Sequence, residues 1–293
     1  MMKFGLNVDS FHGEQLNTLL PLLQDLGIRY IELWAPNLAQ KGPVVNEFAF
    51  SDKDLKTAKE QLDAAGIQVA CIGCGIGLDE EFVKDAQKYS DEFVKTVEAA
   101  AFFGAKYVNH YSTKIQIADK PDVEALKKYW AAGLKKAEEL GVILCLENEA
   151  TDITWSPENV LEVVRGFNSR NFKTNFDSTN YYHSGHEAYP WAYELLKDEI
   201  AYVHIKGGRK YVPEQCHDVK FIGTPCTRLF EGETIYYCQS KYGAVNIEGE
   251  LGALKRDGYD GFCVLEPHTD RNNTIVILHK EVDYLRSTGL FEE

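Results

Sequence analysis

The sequence predicts an α/β fold, a single (β/α)8 TIM barrel with a long insertion after its seventh strand. Short runs rich in Val, Ile, Tyr and Phe alternate with longer segments of mixed polarity, eight such pairs follow one another, and no linker or low-complexity stretch divides the 293 residues. Eight repeats of a strand followed by a helix are typical of this barrel. A doubly wound open sheet is the alternative that the same alternation allows.

The strand candidates are short runs of β-branched and aromatic residues bounded by turn signals. In chain order they are Phe4–Val8, Tyr30–Trp34, Gln68–Gly73, Lys106–Tyr111, Val142–Glu147, Phe172–Asp177, Ala201–Lys206 and Gly261–Glu266. Successive candidates begin about 26 to 38 residues apart, except that the last begins about 60 residues after the one before it. The seventh gap is therefore the one that departs from the repeat.

Capping and stop signals predict helices between these strands, and most combine a capping residue at the start with a Gly near the end. They run from Ser51 to Gly66, from Ser90 or Asp91 to Gly104, from Pro121-Asp122 to Gly141, from Ser156-Pro157-Glu158 onward, over Ile247–Asp257 and over Thr274–Ser287. Two further helices, Glu14–Leu26 and His186–Lys197, have weaker signals because each has a Pro inside or at its border.

The seventh gap holds roughly thirty extra residues without a clear helix signal, and we assign the insertion to residues 207–246. Long loops in a compact domain are usually functional or disordered, and the active site of such a barrel lies at the C-terminal ends of its strands. We therefore expect 207–246 to lie over or beside the mouth of a single domain, 1–293. Its aromatic residues also suit contact with a partner subunit or a second copy, or closure over a substrate.

The charge balance disfavours several kinds of partner. The chain has 31 Lys and Arg against 45 Asp and Glu, a formal net charge of −14, whereas nucleic-acid binding needs a basic surface. No run approaches the roughly 18 apolar residues of a membrane span, and the first residues lack the apolar stretch of a signal peptide. Seven cysteines without a disulfide-like spacing predict free thiols and a cytoplasmic location.

Four ionisable side chains stand at or near the C-terminal ends of the fifth to eighth predicted strands. They are Glu147, Asp177, His204 and Glu266. Because side chains alternate along a strand, each can point into the barrel mouth while its apolar neighbours face the helices. Three carboxylates and one imidazole gathered there would repel one another and lose hydration without a cation. The mostly oxygen donor set predicts a divalent ion such as Mn²⁺, Mg²⁺ or Co²⁺ rather than a structural zinc.

The motifs around these residues resemble those of the xylose-isomerase-like barrel superfamily of sugar isomerases and epimerases. They are Leu146-Glu147-Asn148, Phe176–Asn180, Val203–Lys206, and Gly258–Gly261 followed by Leu265–Pro267. The resemblance extends from residue 4 to about residue 288. It implies that the four strand-end residues bind one metal ion, as matching positions do in ketose 3-epimerases. It also implies that Glu147 and Glu266 are the catalytic acid/base pair.

This resemblance implies a metal-dependent isomerase or epimerase that acts on a ketose or keto-sugar derivative. The metal, Mn²⁺ before Mg²⁺, Co²⁺ or Zn²⁺, would polarise a ketone and stabilise the enediolate formed when a neighbouring proton leaves. One Glu would remove that proton and the other return it. A dehydratase or lyase acting on a keto-sugar, inosose or glycoside is the alternative, since the same site serves it. No nucleotide cofactor is expected, because Gly73–Gly77 does not match a nucleotide fingerprint.

Three positions depart from the epimerase pattern and bear on the substrate. Asn180 stands where such epimerases commonly have His, three residues after the Asp ligand. Arg209 and Lys210 stand at or beside the position of a common Arg, and Gly207-Gly208 replaces the usual acidic residue after His-x-Lys. Because of these differences, a dehydratase of keto-inositols and a lyase of keto-sugar derivatives remain alternative activities for this site.

The candidates for substrate contact are polar, cationic or aromatic residues near the predicted strand ends. They are Glu32, Trp34, His110, Glu149, Asn180, Lys206 and Arg209, with Trp155, His183, His186 and His268 as weaker ones. Residues 206–228 carry a local charge of +3, which suits an anionic or polyhydroxylated substrate, although a solvated loop face would look the same. Lys206 is favoured because it shares a face with His204.

Two other functional classes, a nuclease and a binding protein without turnover, fit the sequence less well. An apurinic-site endonuclease would need extra His ligands for a zinc cluster, but the third strand ends without His and position 180 is Asn. A binding protein without turnover would predict an incomplete set of metal ligands, whereas all four are present.

Cys71 and Cys74 form a C-x-x-C, yet a spacing of three along a strand puts them on opposite faces, which disfavours zinc or redox chemistry.

Overall fold

A computed structural model describes residues 1–11, 14–34, 51–74, 85–112, 120–215, 225–228, 232–268 and 274–292. Its strands, in chain order, are β1 (Lys3–Asn7), β2 (Tyr30–Trp34), β3 (Gln68–Gly73), β4 (Tyr107–His110), β5 (Ile143–Glu147), β6 (Phe172–Asp177), β7 (Ile200–Ile205), β8 (Gly207–Lys210), β9 (Pro225–Arg228), β10 (Thr234–Cys238) and β11 (Phe262–Leu265). The eight strands outside the insertion agree with the predicted ones to within two residues at each end.

These eight strands close into a barrel in the order β1-β11-β7-β6-β5-β4-β3-β2. Every neighbouring pair is parallel, and the ring closes where Leu6 of β1 pairs with Leu265 of β11 on one side and Ile31 of β2 on the other. The predicted TIM barrel is confirmed. The open-sheet alternative is wrong, because an open sheet would leave β1 or β11 at an edge.

The helices of the described residues alternate with the strands. They are α1 (Leu16–Asp25), α2 (Asp52–Ala65), α3 (Ala86–Phe103), α4 (Val123–Leu140), α5 (Pro157–Phe167), α6 (Ser178–His183), α7 (Tyr193–Leu196), α8 (Ile247–Arg256) and α9 (Thr274–Ser287). Ser51, Asp122 and Ser156 cap three of them by accepting a backbone N–H, as their sequence signals predict. Within the described segments, none of the helices combines the length and apolarity needed to cross a bilayer.

Two predicted helices differ from the observed ones. α3 begins at Ala86, because Asp85 rather than Ser90 or Asp91 caps it by accepting the Lys88 N–H at 3.0 Å. The predicted helix His186–Lys197 is instead a short π-helical turn, Ala188–Ala192, followed by α7. Tyr189 has extended angles there, φ −136° and ψ 127°, since the residue before a proline is restricted from helical geometry.

The two faces of the strands separate the interior of the barrel from the layer between barrel and helices. Inward-facing side chains such as Cys71, Cys145 and Tyr202 form one apolar cluster. Their neighbours along the strands, including Leu144 and Leu146, pack with the helices in a second and larger cluster. Cys71 and Cys74 belong to different clusters, so the C-x-x-C pair is split as its spacing predicts.

The insertion after β7 contains a three-stranded antiparallel sheet with the order β8-β10-β9. It starts one residue beyond Lys206 and packs closely on the barrel. A Cβ atom on Gly207 would lie 2.4 Å from the Cys238 carbonyl oxygen, and one on Gly208 would lie 2.6 Å from the Thr179 side chain. Gly207 therefore permits close pairing with β10 inside the insertion sheet, and Gly208 permits the close approach of this sheet to α6.

A second attachment joins the insertion to the last helix. The backbone N–H of Ser240 donates to Oε1 of Glu281 in α9 at 2.6 Å, and the Ser240 hydroxyl donates to the other carboxyl oxygen. Burial raises the pKa of Glu281 to about 7, against the lowering effect of the Ser240 hydrogen bonds. This contact lies outside the four-residue cluster described next.

Candidate active site

The four ionisable residues at the strand ends come together in the mouth of the barrel. Glu147 and Asp177 end β5 and β6, His204 is the penultimate residue of β7, and Glu266 follows β11. Each offers one donor atom, and these atoms all lie within 4.8 Å of one another. Because the strands are parallel and neighbouring, their C-terminal ends meet at one side of the barrel. We call these residues the four-residue cluster.

His204 is the centre of this cluster. Its Nδ1 lies 3.0 Å from Oε1 of Glu147 and 3.4 Å from Oε2 of Glu266, while its Nε2 lies 2.7 Å from Oε2 of Glu32. The ring is completely buried. Burial alone would lower the pKa of His204, but Glu147, Glu32 and Glu266 together raise it well above its usual value.

Lys206 joins the remaining two carboxylates. Its Nζ lies 2.8 Å from Oδ2 of Asp177 and 2.8 Å from Oε2 of Glu266. Burial opposes its charge, yet these carboxylates raise the pKa of Lys206 well above its usual value. In return Lys206 and His204 outweigh the burial of Glu266 and hold the pKa of that carboxyl well below its usual range. For Asp177 burial is the larger effect, so its pKa is raised despite Lys206.

Asparagine side chains orient the two glutamates from below. The Nδ2 of Asn109 donates to Oε2 of Glu147 at 2.7 Å, and the Nδ2 of Asn7 donates to Oε1 of Glu266 at 3.0 Å. Sequence reasoning missed both amides, because a lone Asn has no specific chemical signal. Strand position could have indicated them, since Asn7 ends β1 and Asn109 is the inward residue near the end of β4.

The donor set fits a divalent cation. Glu32, Glu147, Asp177 and Glu266 place four carboxylates in and directly beneath the cluster, with side-chain exposures of 0%, 3%, 0% and 14%. If all four are ionised, Lys206 and a protonated His204 leave two negative charges uncompensated. Buried charges need compensation, and oxygen donors with one imidazole suit Mn²⁺, Mg²⁺ or Zn²⁺. The four-residue cluster is therefore a possible site for a divalent metal ion.

The other predicted contact residues lie at different distances from this cluster. Asn180 uses its backbone N–H to bind Oδ1 of Asp177 and its side chain to bind the Asn148 carbonyl. Glu149 stands two residues after Glu147, which ends β5, and burial together with the nearby Glu147 raises the pKa of Glu149 well above its usual value. Arg209 instead donates to the Tyr242 carbonyl at 3.4 Å, within the insertion.

Aromatic side chains line two parts of the mouth. Trp34 stacks on Tyr111 with ring centroids 6.0 Å apart and donates its indole N–H to Glu32. On the other side Tyr237 of the insertion stacks on His268 at 4.4 Å. The Nε2 of His268 lies 3.4 Å from Oε2 of Glu266, so the insertion sheet reaches the edge of the cluster.

His110 lies outside the mouth. It is completely buried, and its ring packs against Phe93, Trp130 and Phe172 at centroid distances of 5.1, 4.9 and 5.5 Å. Alternation along β4 turns Asn109 inward and His110 toward the helices. The structure thus places His110, the candidate substrate contact of the fourth strand, in the layer between barrel and helices. The residue of this strand that reaches the carboxylates is Asn109.

This placement predicts an acid-sensitive stability. Neither ring nitrogen of His110 has a hydrogen-bond partner among the described residues, and burial lowers its pKa to about 3. The unfolded chain would bind a proton near pH 6.5, so stability from His110 is complete above that pH and is lost as the pH falls toward 3.

The free energy of unfolding should fall when the pH is lowered from 7.5 to 5. We expect this fall to be about 2 kcal/mol smaller in His110→Phe than in the wild type. Urea unfolding of both proteins at the two pH values measures the difference. Comparing pH dependences cancels the packing cost of the larger ring. Equal losses in the two proteins would contradict the assignment of His110 as a buried neutral side chain.

The fold and the cluster define a (β/α)8 barrel with a candidate divalent-metal site at the C-terminal ends of its strands. The chain belongs to the xylose isomerase-like TIM barrel family, whose model matches residues 20–288. None of the curated protein sequences matches this chain.

Solved structures with the same fold cover nearly the whole chain. The probable 3-DHS dehydratase AsbF from Bacillus anthracis has a TM-score of 0.69 and 18% identity over 97% of this chain and 99% of its own. A D-tagatose 3-epimerase-like protein has a TM-score of 0.69 and 19% identity over 98% of this chain and 97% of its own. The IOLI protein, solved with a zinc atom, has a TM-score of 0.67 and 19% identity over 99% of this chain and 97% of its own. At these identities the likeness shows the fold alone.

Proposed function

We propose that the protein is a divalent-metal-dependent isomerase or epimerase acting on a ketose or keto-sugar derivative. The observation that carries the proposal is the four-residue cluster, in which two glutamates, an aspartate and a histidine offer donor atoms within 4.8 Å of one another. Glu147, Asp177, His204 and Glu266 would hold the ion. It would supply polarisation of a substrate carbonyl and stabilisation of the charge that develops on its oxygen.

Glu147 and Glu266 are the acid/base pair of this proposal. Each is held by a donor from the barrel, Asn109 for Glu147 and Asn7 for Glu266, so each presents a fixed carboxylate to the mouth. One carboxylate would accept the proton from the carbon beside the ketone. The other Glu, in its protonated carboxylic acid form, would donate a proton to the opposite face for epimerisation, or to the neighbouring carbon for isomerisation.

The rim residues would bind the substrate. Lys206 is 3% exposed and cationic, so it can donate to a carbonyl or hydroxyl oxygen that approaches Glu266. Trp34 offers an indole face stacked on Tyr111, which suits one side of a sugar ring. Asn180, Glu149 and Arg209 remain candidate contacts from the sequence, while the complete burial of His110 and Glu32 does not favour them.

The insertion 207–246 belongs to the proposed site as a wall beside the mouth. Tyr237 contacts His268, and its ring lies 6.0 Å from the Lys206 Nζ. These contacts support a role in enclosing the substrate within one domain, 1–293. We further propose Mn²⁺ as the metal, a cytoplasmic location, and either a second copy or a partner subunit as a binder of this insertion.

A dehydratase or lyase acting on a keto-sugar is the second candidate. It is favoured by the proton-bearing groups around one acid/base carboxylate, because Lys206 Nζ and His268 Nε2 lie 2.8 and 3.4 Å from Oε2 of Glu266. Groups of this kind could protonate a leaving hydroxyl or glycoside oxygen. One carboxylate of the same pair would first remove the proton from the carbon beside the ketone.

Metal analysis followed by a substrate panel tests the proposal. We expect one Mn, Mg, Co or Zn per chain, removable by EDTA, and metal-dependent conversion of a ketose or keto-sugar derivative into a product of equal mass. Loss of water or of an aglycone in the mass spectrum would assign the second candidate instead. Failure to bind any of these metals, or turnover that survives EDTA and full metal removal, would overturn both.

A further inference from the structure

We propose that Glu32 is a positioning residue that accepts the Nε2–H of His204 and thereby leaves Nδ1 to bind the metal ion that the four-residue cluster would hold. This inference rests on the proposed function, because it assumes that the cluster binds a metal. The sequence predicts Glu32 as a substrate contact; its surroundings assign it a different task.

The two nitrogens of His204 face different groups. Nδ1 faces the cluster, 3.0 Å from Glu147 and 3.4 Å from Glu266. Nε2 faces only Glu32 among the contacts described, at 2.7 Å and on the opposite edge of the ring. Since only one ring nitrogen is turned toward the other ligands, His204 can join the same ion only through Nδ1.

The groups around Glu32 show that its carboxylate acts as a hydrogen-bond acceptor beside His204. Oε1 of Glu32 accepts the indole N–H of Trp34 at 3.1 Å and the amide of Asn109 at 3.3 Å. An indole nitrogen can only donate, so this end of Glu32 serves as an acceptor. Without a metal both ring nitrogens face a carboxylate oxygen, Nε2 that of Glu32 at 2.7 Å and Nδ1 that of Glu147 at 3.0 Å. A cation bound by the cluster would take the place of the hydrogen on Nδ1, whereas the hydrogen on Nε2 would keep Glu32 as its acceptor.

Glu32 is also out of reach of a substrate. Its side chain has no exposure to solvent, and both of its oxygens are engaged by residues of the barrel. A carboxylate behind a metal-binding imidazole fixes the tautomer and orientation of the ring and raises its basicity as a ligand. The contact joins β2 to β7 across the interior of the barrel, and the two residues are 172 positions apart in the sequence.

Two substitutions separate the hydrogen bond from the charge. Glu32→Gln removes the charge but retains an oxygen that can accept from Nε2, whereas Glu32→Met removes both at similar size. Glu281→Gln is the control, because Glu281 is another buried carboxyl that lies outside the cluster. The probe is Mn²⁺ alone, titrated into the metal-free full chain by calorimetry, with thermal unfolding of each metal-free variant as the test of folding.

We expect Mn²⁺ affinity to fall about 10- to 100-fold in Glu32→Met, to fall clearly less in Glu32→Gln, and to remain unchanged in Glu281→Gln. Equal losses in the Gln and Met variants would show that charge alone acts, and unchanged affinity in both would show that Glu32 does nothing for the metal. Either result overturns the positioning role while leaving the proposed function intact.

The wild-type protein provides a test that no unfolded variant can obscure. After labelling of histidine with ¹⁵N and loading with Zn²⁺, NMR distinguishes a metal-bound from a protonated ring nitrogen. We expect Nδ1 of His204 to bind the zinc and Nε2 to carry the hydrogen. Metal binding through Nε2 would overturn the inference, whereas absence of any metal binding would instead remove the proposed function on which it rests.

Discussion

Replacement of Glu147 or Glu266 by Gln is expected to abolish turnover while the fold is retained. The amide keeps the size of the side chain and can still accept from Asn109 or Asn7, but it cannot take up or release the substrate proton. Loss of one positioned acid or base typically costs about 10²- to 10⁴-fold in rate. Because both residues line the cluster, kcat is measured at saturating metal.

The control for this pair is Glu281→Gln, which makes the same change at a buried carboxyl bonded to Ser240. We expect wild-type kcat there. An additional readout is the exchange of the substrate C–H for deuterium from solvent, which reports proton removal even when the overall reaction stops. If either cluster variant keeps wild-type turnover with metal bound, the two-carboxylate mechanism is wrong.

Loss of a proposed metal ligand is expected to have the second large effect. His204→Ala removes the only nitrogen donor of the cluster, and Asp177→Ala removes a carboxylate that is completely buried. We expect Mn²⁺ affinity to fall by more than the roughly 10- to 100-fold that is typical for residues supporting a ligand. Elemental analysis of the purified proteins and calorimetric titration of the metal-free forms measure the change.

His110→Phe is the matched control for the histidine variant, since His110 is equally buried but packs among aromatic rings outside the mouth. We expect its metal content to equal that of the wild type. Thermal unfolding without metal separates lost affinity from lost structure, because His204→Ala also leaves neighbouring carboxylates without a partner. Wild-type metal content in the Ala variants would contradict the ligand assignment.

The barrel could be predicted from the sequence because each strand has a local signal. Runs such as Val142–Glu147 are short, β-branched and bounded by turns, and alternation then decides that Leu144 and Leu146 face the helices. The helix starts were less certain, since Ser90 and Asp85 are both good capping residues and tertiary packing buries Ser90 within α3. Local chemistry does not distinguish between two caps a turn apart.

The candidate site was predictable only where a charged residue ends a strand. Alternation along β4 turns Asn109 inward and His110 toward the helices, so the residue that reaches Glu147 is the amide rather than the more reactive imidazole beside it. The task we infer for Glu32 depends on a contact across the barrel with His204, which no local pattern contains. The strands of the insertion were missed because an irregular segment rich in Gly, Pro and Tyr has no clear period.

The attachment of the insertion divides the molecule into parts that can change independently over evolutionary time. Three of the cluster residues lie in barrel strands and Glu266 directly follows one. Tyr237 instead comes from a sheet that joins the barrel beside Gly207 and is tied to α9 through Ser240. Mutations in this sheet can reshape one wall of the mouth while the cluster keeps its geometry. Substitutions in the insertion can therefore alter the binding of a substrate with less effect on the underlying chemistry than substitutions in the barrel strands that carry the cluster.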